Sequence, residues 1–248
     1  MSNSSIGLQL YTVRDQTQLD FKKTVQRVAE MGYDAVEFAG YGDIPSKEMS
    51  ALLADTGLRT AGSHVSLDAL EHDLDHEINY CLDIGCPYLI IPYLAQEWRT
   101  AAGFLKLADR LNILGRHCQN RGITLAYHNH NFEFEQEDGR YLLDLLAAAT
   151  DPQLVKLELD TYWAAYAGVD PIAYLRTITG RVALVHLKDM TPDRHFTEVG
   201  DGTLDIKGYC QAARAAGARF YLVENDQPTI PSLESARRSL ENLRTILS

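Results

Sequence analysis

A single-domain α/β fold, the (βα)8 TIM barrel, is what this sequence predicts over residues 1–248, and three observations predict it. Eight short apolar runs recur along the chain. Stretches with helical spacing of apolar residues separate them. A repeated junction joins the two: a helical stretch ends in Gly, two or three residues intervene, and an apolar run begins. Gly32, Gly57, Gly85, Gly122, Gly180 and Gly217 mark six such junctions. The residue type has a physical reason, because glycine enters the left-handed region without a Cβ penalty and lets a helix stop and turn into a strand.

Taken in order, IGLQL opens as the first strand, and Phe21, Val25, Val28 and Met31 follow at helical spacing. MGYDAVEF, TGLRTAGSH and IGCPYLIIP supply strands two to four. A long helix with Leu105, Ala108, Leu111 and Leu114 on its apolar face leads into RGITLAYH, the fifth. Asp151 and Pro152 replace the glycine before the sixth run, LVKLEL; TGRVALVHL and AGARFYLVE give the seventh and eighth, and SLESARRSLENLRTIL closes as a helix. Parallel strands joined by helices must be covered on their outer face, and eight of them close naturally into a barrel of about 250 residues. An open doubly wound sheet is the rival, but no GxGxxG follows the first strand.

Bulk properties narrow the functional classes. A formal net charge of −11 disfavours nucleic acid, whose non-specific binding needs clustered Lys and Arg. The four cysteines show no CxxC spacing and read as small buried apolar groups rather than disulfides. No signal-like segment follows MSNSS and no apolar run is long enough for a membrane span, so a soluble, cytoplasmic protein is expected, with a homo-oligomer compatible with the chain.

In such barrels chemistry sits at the C-terminal ends of the strands. Glu37, His64, His128, His130, Asp160, His186, Lys188 and Glu224 all fall there. Glu133, Asp160, His186 and Glu224, delivered by four successive units, make a metal-type set of three carboxylates and one imidazole. With a divalent ion that set carries about −1, and its hard oxygens suit Mn²⁺ first, with Mg²⁺, Co²⁺ or Zn²⁺ as alternatives. Ordinary caps and rim salt bridges are the competing reading of the same residues. Alternation puts Lys156, Glu158 and Asp160 on one face and pairs His128 with His130. A buried charge needs a partner, so His128 is expected against Glu158, while His64, His130 and Lys188 reach substrate. His72, His76 and His117 belong to helix surfaces. Lys188, Arg194 and His195, followed by Gly200 and Gly202, read either as an anion site for a phosphorylated or acidic sugar or as a solvated loop with a tight turn. Tyr11, Trp163 and Tyr166 could wall a sugar ring.

The motifs YHNHNFEF (127–134), ELDTYWAAYAGVDP (158–171), HLKDM (186–190), VGDGTLD (199–205) and VEND (223–226) resemble the xylose isomerase-like barrel family of sugar phosphate isomerases and epimerases. The resemblance is close in the C-terminal half and rests on the strand–helix pattern in the N-terminal half. It implies that Glu133, Asp160, His186 and Glu224 are metal ligands, and that Glu133 and Glu224 flank a bound ketose and carry protons. Its ketose epimerases and inosose dehydratases carry His three positions after the metal Asp, where this chain has Trp163. The HxH pattern on strand five leans towards the inosose dehydratase branch. The expected activity is a divalent-metal-dependent sugar or sugar phosphate isomerase or epimerase working through an enediolate. The alternative is a keto-sugar dehydratase or lyase, glycoside elimination included. An endonuclease IV-like nuclease and a non-catalytic sugar binder stand behind these.

Overall fold

In the computed structural model, which describes residues 5–248, eight parallel strands hydrogen-bond in a closed ring. They are β1 (Ser5–Gln9), β2 (Ala35–Ala39), β3 (Arg59–His64), β4 (Tyr88–Ile91), β5 (Thr124–His128), β6 (Val155–Asp160), β7 (Val182–Leu187) and β8 (Phe220–Val223). Each pairs with its neighbours in sequence, and β8 closes on β1 through Ser5–Phe220 to Leu8–Val223. Two short hairpins, 136–137 with 140–141 and 189–190 with 196–197, lie outside the ring.

The junctions behave as their glycines require. All six have positive φ, from +67° at Gly85 to +108° at Gly217. The expected exception is present too: before β6 the helix Leu142–Ala149 ends at Thr150 in extended backbone. Helix starts are fixed by side-chain caps. Asp20 accepts from the Lys23 N–H, Ser66 from Ala69, Thr100 from Gly103 and Asp205 from Gly208.

One helical face departs from expectation. In the helix Ala101–Asn120 the buried stripe is Phe104, Leu107, Ala108, Leu111 and Cys118, while Leu105 is 48% exposed. Of the expected face, Ala108 and Leu111 are buried and Leu114 packs partly buried against the core, so Leu105 alone falls outside, with Phe104 and Leu107 completing the stripe.

The apolar core has two parts. One fills the space between strands and helices. The smaller, containing Ala35, Tyr88, Ile90, Ala126, Leu184, Phe220 and Leu222, plugs the barrel. Alternation then decides what stands above that plug: the residues two positions further along the same strands are Glu37, His128, His186 and Glu224. Lys156, expected to share their space, lies at the opposite end of β6 and donates to the Gly180 carbonyl. All four cysteines are free and buried. Among the described residues no helix is long and apolar enough to cross a membrane.

Candidate metal centre

The strand ends bring an unusual density of charge into the barrel mouth. Asp160, His186 and Glu224 each place one donor atom within 4.8 Å of the others. Asp160 caps the helix Thr161–Tyr166 through Oδ1, which accepts the Trp163 N–H, so its position is fixed by backbone. Glu224 follows β8; its Oε2 is 2.7 Å from His186 Nδ1. The Lys188 ammonium reaches Asp160 Oδ2 at 3.0 Å, Glu224 Oε2 at 2.9 Å and both oxygens of Asp226 at 3.0 Å.

Beneath this lies a second cluster, His64, His128, Glu158 and His186. Glu158 Oε2 meets His64 Nε2 at 2.7 Å and His128 Nδ1 at 3.1 Å, the pairing expected of His128. Glu37 Oε2 meets His186 Nε2 at 2.8 Å and accepts from Gln9 Nε2 at 2.7 Å. Gly62 leaves room for that carboxylate, since a Cβ there would stand 2.8 Å from Glu37 Oε1 and 2.4 Å from Ile90 Cδ1.

Burial and neighbouring charge shift the protonation of these groups in opposite directions. Burial alone would lower His64, but Glu37 and Glu158 raise it to about 9. His186 is likewise buried, and Glu158, Glu37 and Glu224 raise it well above the ordinary imidazole range. Burial, with His186 and His130 beside it, lowers His128, so that ring is neutral. Glu224, though buried, is held well below the usual carboxylate range by Lys188 and His186. Burial and the neighbouring Glu224 push Asp226 up to about 7 despite the ammonium beside it.

Does this donor set fit a divalent cation? Five buried or half-buried carboxylates (Glu37, Glu158, Asp160, Glu224, Asp226) face one ammonium and two charged imidazoles. Glu37 Oε1, Glu158 Oε1 and Asp160 Oδ2 are buried without a hydrogen bond of good geometry, the last in ion-pair range of Lys188 at 3.0 Å and His128 Nε2 at 3.8 Å. A buried negative excess with orphaned oxygens is what a bound cation relieves. Oxygen donors with a single nitrogen at Asp160, Glu224 and His186 fit such an ion, His186 giving up a proton as it binds. His186 belongs to both groups and its two nitrogens meet Glu224 and Glu37. The upper group is the better seat because it joins two carboxylates to that ring and Glu224 lines the open cavity.

Glu133 stands apart. It lies in the 3-10 turn Phe132–Phe134 beyond β5, belongs to neither cluster, and is fully buried. Its Oε1 accepts from the Tyr127 hydroxyl at 2.7 Å and its Oε2 from the His130 N–H at 2.8 Å. Burial raises it to about 8.

A cavity of about 580 Å³ opens over the upper cluster. His64, His128, His130, Lys188 and Glu224 line it, together with Tyr11, Tyr93 and Asp226. Trp163 and Arg194, expected as substrate contacts, are not among its walls. Trp163 packs beside His130, Tyr162, Tyr166 and Phe196 with its indole N–H buried and unpaired. Arg194 has φ +68°, lies 4.1 Å over the Tyr166 ring and donates to the Tyr166 carbonyl. His195 is exposed. The glycine loop also answers differently from an anion site. Gly200 and Gly202 donate their N–H groups to Asp189 Oδ2, and Leu204 donates to Oδ1. The anion that this loop wraps is the protein's own carboxylate. Asp189 and Asp226 were not singled out from the sequence, although both are part of the quoted HLKDM and VEND motifs.

Residues 25–246 match the family model of the xylose isomerase-like TIM barrel. The chain belongs to that family. The chain is 29% identical over 228 residues to an inosose dehydratase of Geobacillus kaustophilus, covering 74% of this chain and 72% of that protein. A solved sugar phosphate isomerase/epimerase of Parabacteroides distasonis superposes with a TM-score of 0.83 at 22% identity, covering 100% of this chain and 96% of that one. The IolI protein, solved with a bound zinc atom, superposes with a TM-score of 0.78 at 13% identity, covering 98% of both chains. At such identities the structural likenesses speak to fold.

Proposed function

We propose that this protein is a divalent-metal-dependent enzyme that takes the proton α to the carbonyl of a keto-sugar and expels the substituent on the β carbon. One observation carries the choice of elimination over epimerisation. Of the two glutamates expected to flank a ketose, Glu224 lines the cavity, whereas both oxygens of Glu133 are engaged by Tyr127 and the His130 N–H. Epimerisation needs proton carriers on opposite faces of the substrate. Elimination needs one base and a nearby acid, and the cavity offers both.

Glu224, kept ionised by Lys188 and His186, is the base. His64, which holds its proton up to about pH 9, and Lys188 stand on the same cavity as acids. The α C–H bond gives its proton to Glu224, the β C–O bond breaks, and the departing oxygen takes a proton from His64 or Lys188. The products are an unsaturated ketone and water or an alcohol, with no net redox change. A divalent ion held by Asp160, His186 and Glu224, with Glu133 as the candidate fourth ligand, would polarise the carbonyl and stabilise the charge left by proton loss. The kinship with inosose dehydratases supports this reading, and the same residues make Mn²⁺ the first choice of ion.

Epimerisation keeps one observation in its favour: Glu133, raised to about 8, is a carboxylic acid with a proton to give. Incubating the Mn²⁺-loaded protein with cyclic and linear keto-polyols in D₂O separates the two. Elimination yields an unsaturated ketone seen by ultraviolet absorption and NMR. Recovery of deuterated epimers alone would replace elimination by epimerisation.

A further inference from the structure

Two large aromatic side chains at the cavity rim are left in water, Tyr11 at 44% and Tyr93 at 52% exposure. Both line the cavity that Lys188 and Glu224 floor. Tyr11 stands in the turn after β1 and Tyr93 just after β4, three strand positions round a ring of eight, so they face the opening from different sides.

Neither ring is left loose. The Arg14 guanidinium lies 4.1 Å from the Tyr11 ring centre and is itself tied down, donating to the Tyr11 and Asp226 carbonyls at 2.8 Å each. The Arg99 guanidinium lies 4.7 Å from the Tyr93 centre and 3.8 Å from that of Phe132, and donates to the Leu94 carbonyl at 2.9 and 3.1 Å. Tyr93 also meets His130 and Phe132 edge-on at 5.2 and 5.8 Å. Leaving an aromatic ring in water forgoes the stabilisation its burial would give. Holding it in a fixed orientation makes sense where a ligand completes its burial, because ordering has then been done in advance.

The dimensions agree. A cavity of about 580 Å³ falls within the range of roughly 300–1,000 Å³ that holds drug-sized ligands, whereas a single sugar ring has only about a dozen heavy atoms. The polar floor accounts for one ring and the aromatic rim for something flatter and less polar attached to it.

We infer that Tyr11 and Tyr93 form a subsite for a second ring carried by the keto-sugar, a glycosyl or aryl group, so that the substrate is a glycoside rather than a free monosaccharide. This rests on the keto-sugar reading of the cavity floor and specifies what hangs from that sugar. Arg14 and Arg99 are the positioning residues of the two platforms.

The test needs no turnover. Dissociation constants of methyl β-glucoside, phenyl β-glucoside and cellobiose for the Mn²⁺-loaded protein are measured by ligand-observed NMR titration, for wild type and for Tyr11→Ala, Tyr93→Ala, Tyr11→Phe and Tyr93→Phe. The phenyl glucoside, cellobiose or both should bind about tenfold tighter than the methyl glucoside, and whichever does identifies the ring as aryl or glycosyl. Each alanine variant should lose about three- to tenfold of that advantage, as stacked aromatic pairs do, and each phenylalanine variant should keep it. Both rings are exposed, so thermal melts should match wild type and certify the fold. Equal affinity for all three probes, or an advantage that survives both alanine substitutions, overturns the subsite. A ring advantage without keto-sugar elimination would leave the subsite standing and remove the chemistry; elimination without a ring advantage would do the reverse.

Discussion

The Lys188 ammonium stands 2.9 Å from Glu224 Oε2, inside the barrel mouth and almost without solvent contact. Asp160 and Asp226 complete its surroundings at 3.0 Å each. One cation thus holds together three carboxylates, two of which are the proposed oxygen ligands of a metal ion.

Replacing Lys188 by Met should therefore destabilise the metal-free protein by about 3–5 kcal/mol, the cost of leaving buried charge uncompensated. A divalent ion supplies the missing positive charge, so Mn²⁺ should raise the melting temperature of the variant more than that of wild type. Calorimetric melts with and without Mn²⁺ check both signs. A variant as stable as wild type without metal would show that the ammonium is not what balances the cluster.

Glu224→Gln keeps the size of the side chain and removes its basicity. Turnover of the keto-sugar substrate should fall by about 10²–10⁴, the usual contribution of a positioned general base. Circular dichroism should remain that of wild type. Retention of most of the activity would take the base role away from Glu224.

Asp189 organises the loop 200–204 through three backbone N–H groups. Asp189→Ala leaves those donors without their acceptor and should cost about 1–3 kcal/mol in urea unfolding. Hydrogen exchange at Gly200, Gly202 and Leu204 should speed up together. Because the loop's anion site is filled from within, inorganic phosphate should leave wild-type exchange at these amides unchanged.

Leu111 is fully buried and Leu105 is 48% exposed on the same helix. Leu111→Ala should cost about 2–5 kcal/mol and Leu105→Ala less than about 0.5 kcal/mol by chemical denaturation. Comparable losses would mean that the helix presents a different face to the barrel.

The barrel was legible because its punctuation is local: a glycine that must adopt positive φ, followed by an apolar run, repeats at each junction. Period-2 alternation was equally direct, and it placed His128 against Glu158 and Lys188 in the mouth. What escaped lies off the strands. Glu133 sits in a turn, where no periodicity governs its direction, and its carboxylate is engaged by the Tyr127 hydroxyl and the His130 N–H. Arg194 is aimed at Tyr166 by a left-handed backbone that its residue type does not announce. The glycine loop looked open to an external anion because the carboxylate that fills it, Asp189, precedes it by more than ten residues. Asp226 was overlooked because a carboxylate earns notice in a sequence only once its cation is known.

Anomalous diffraction from a crystal loaded with Mn²⁺ tests the centre of this account most directly. The expected result is one strong peak at bonding distance, about 2.0–2.3 Å, from donor atoms of Asp160, His186 and Glu224. A peak lodged instead among His64, His128 and Glu158, or no peak in the barrel mouth under saturating Mn²⁺, would contradict it.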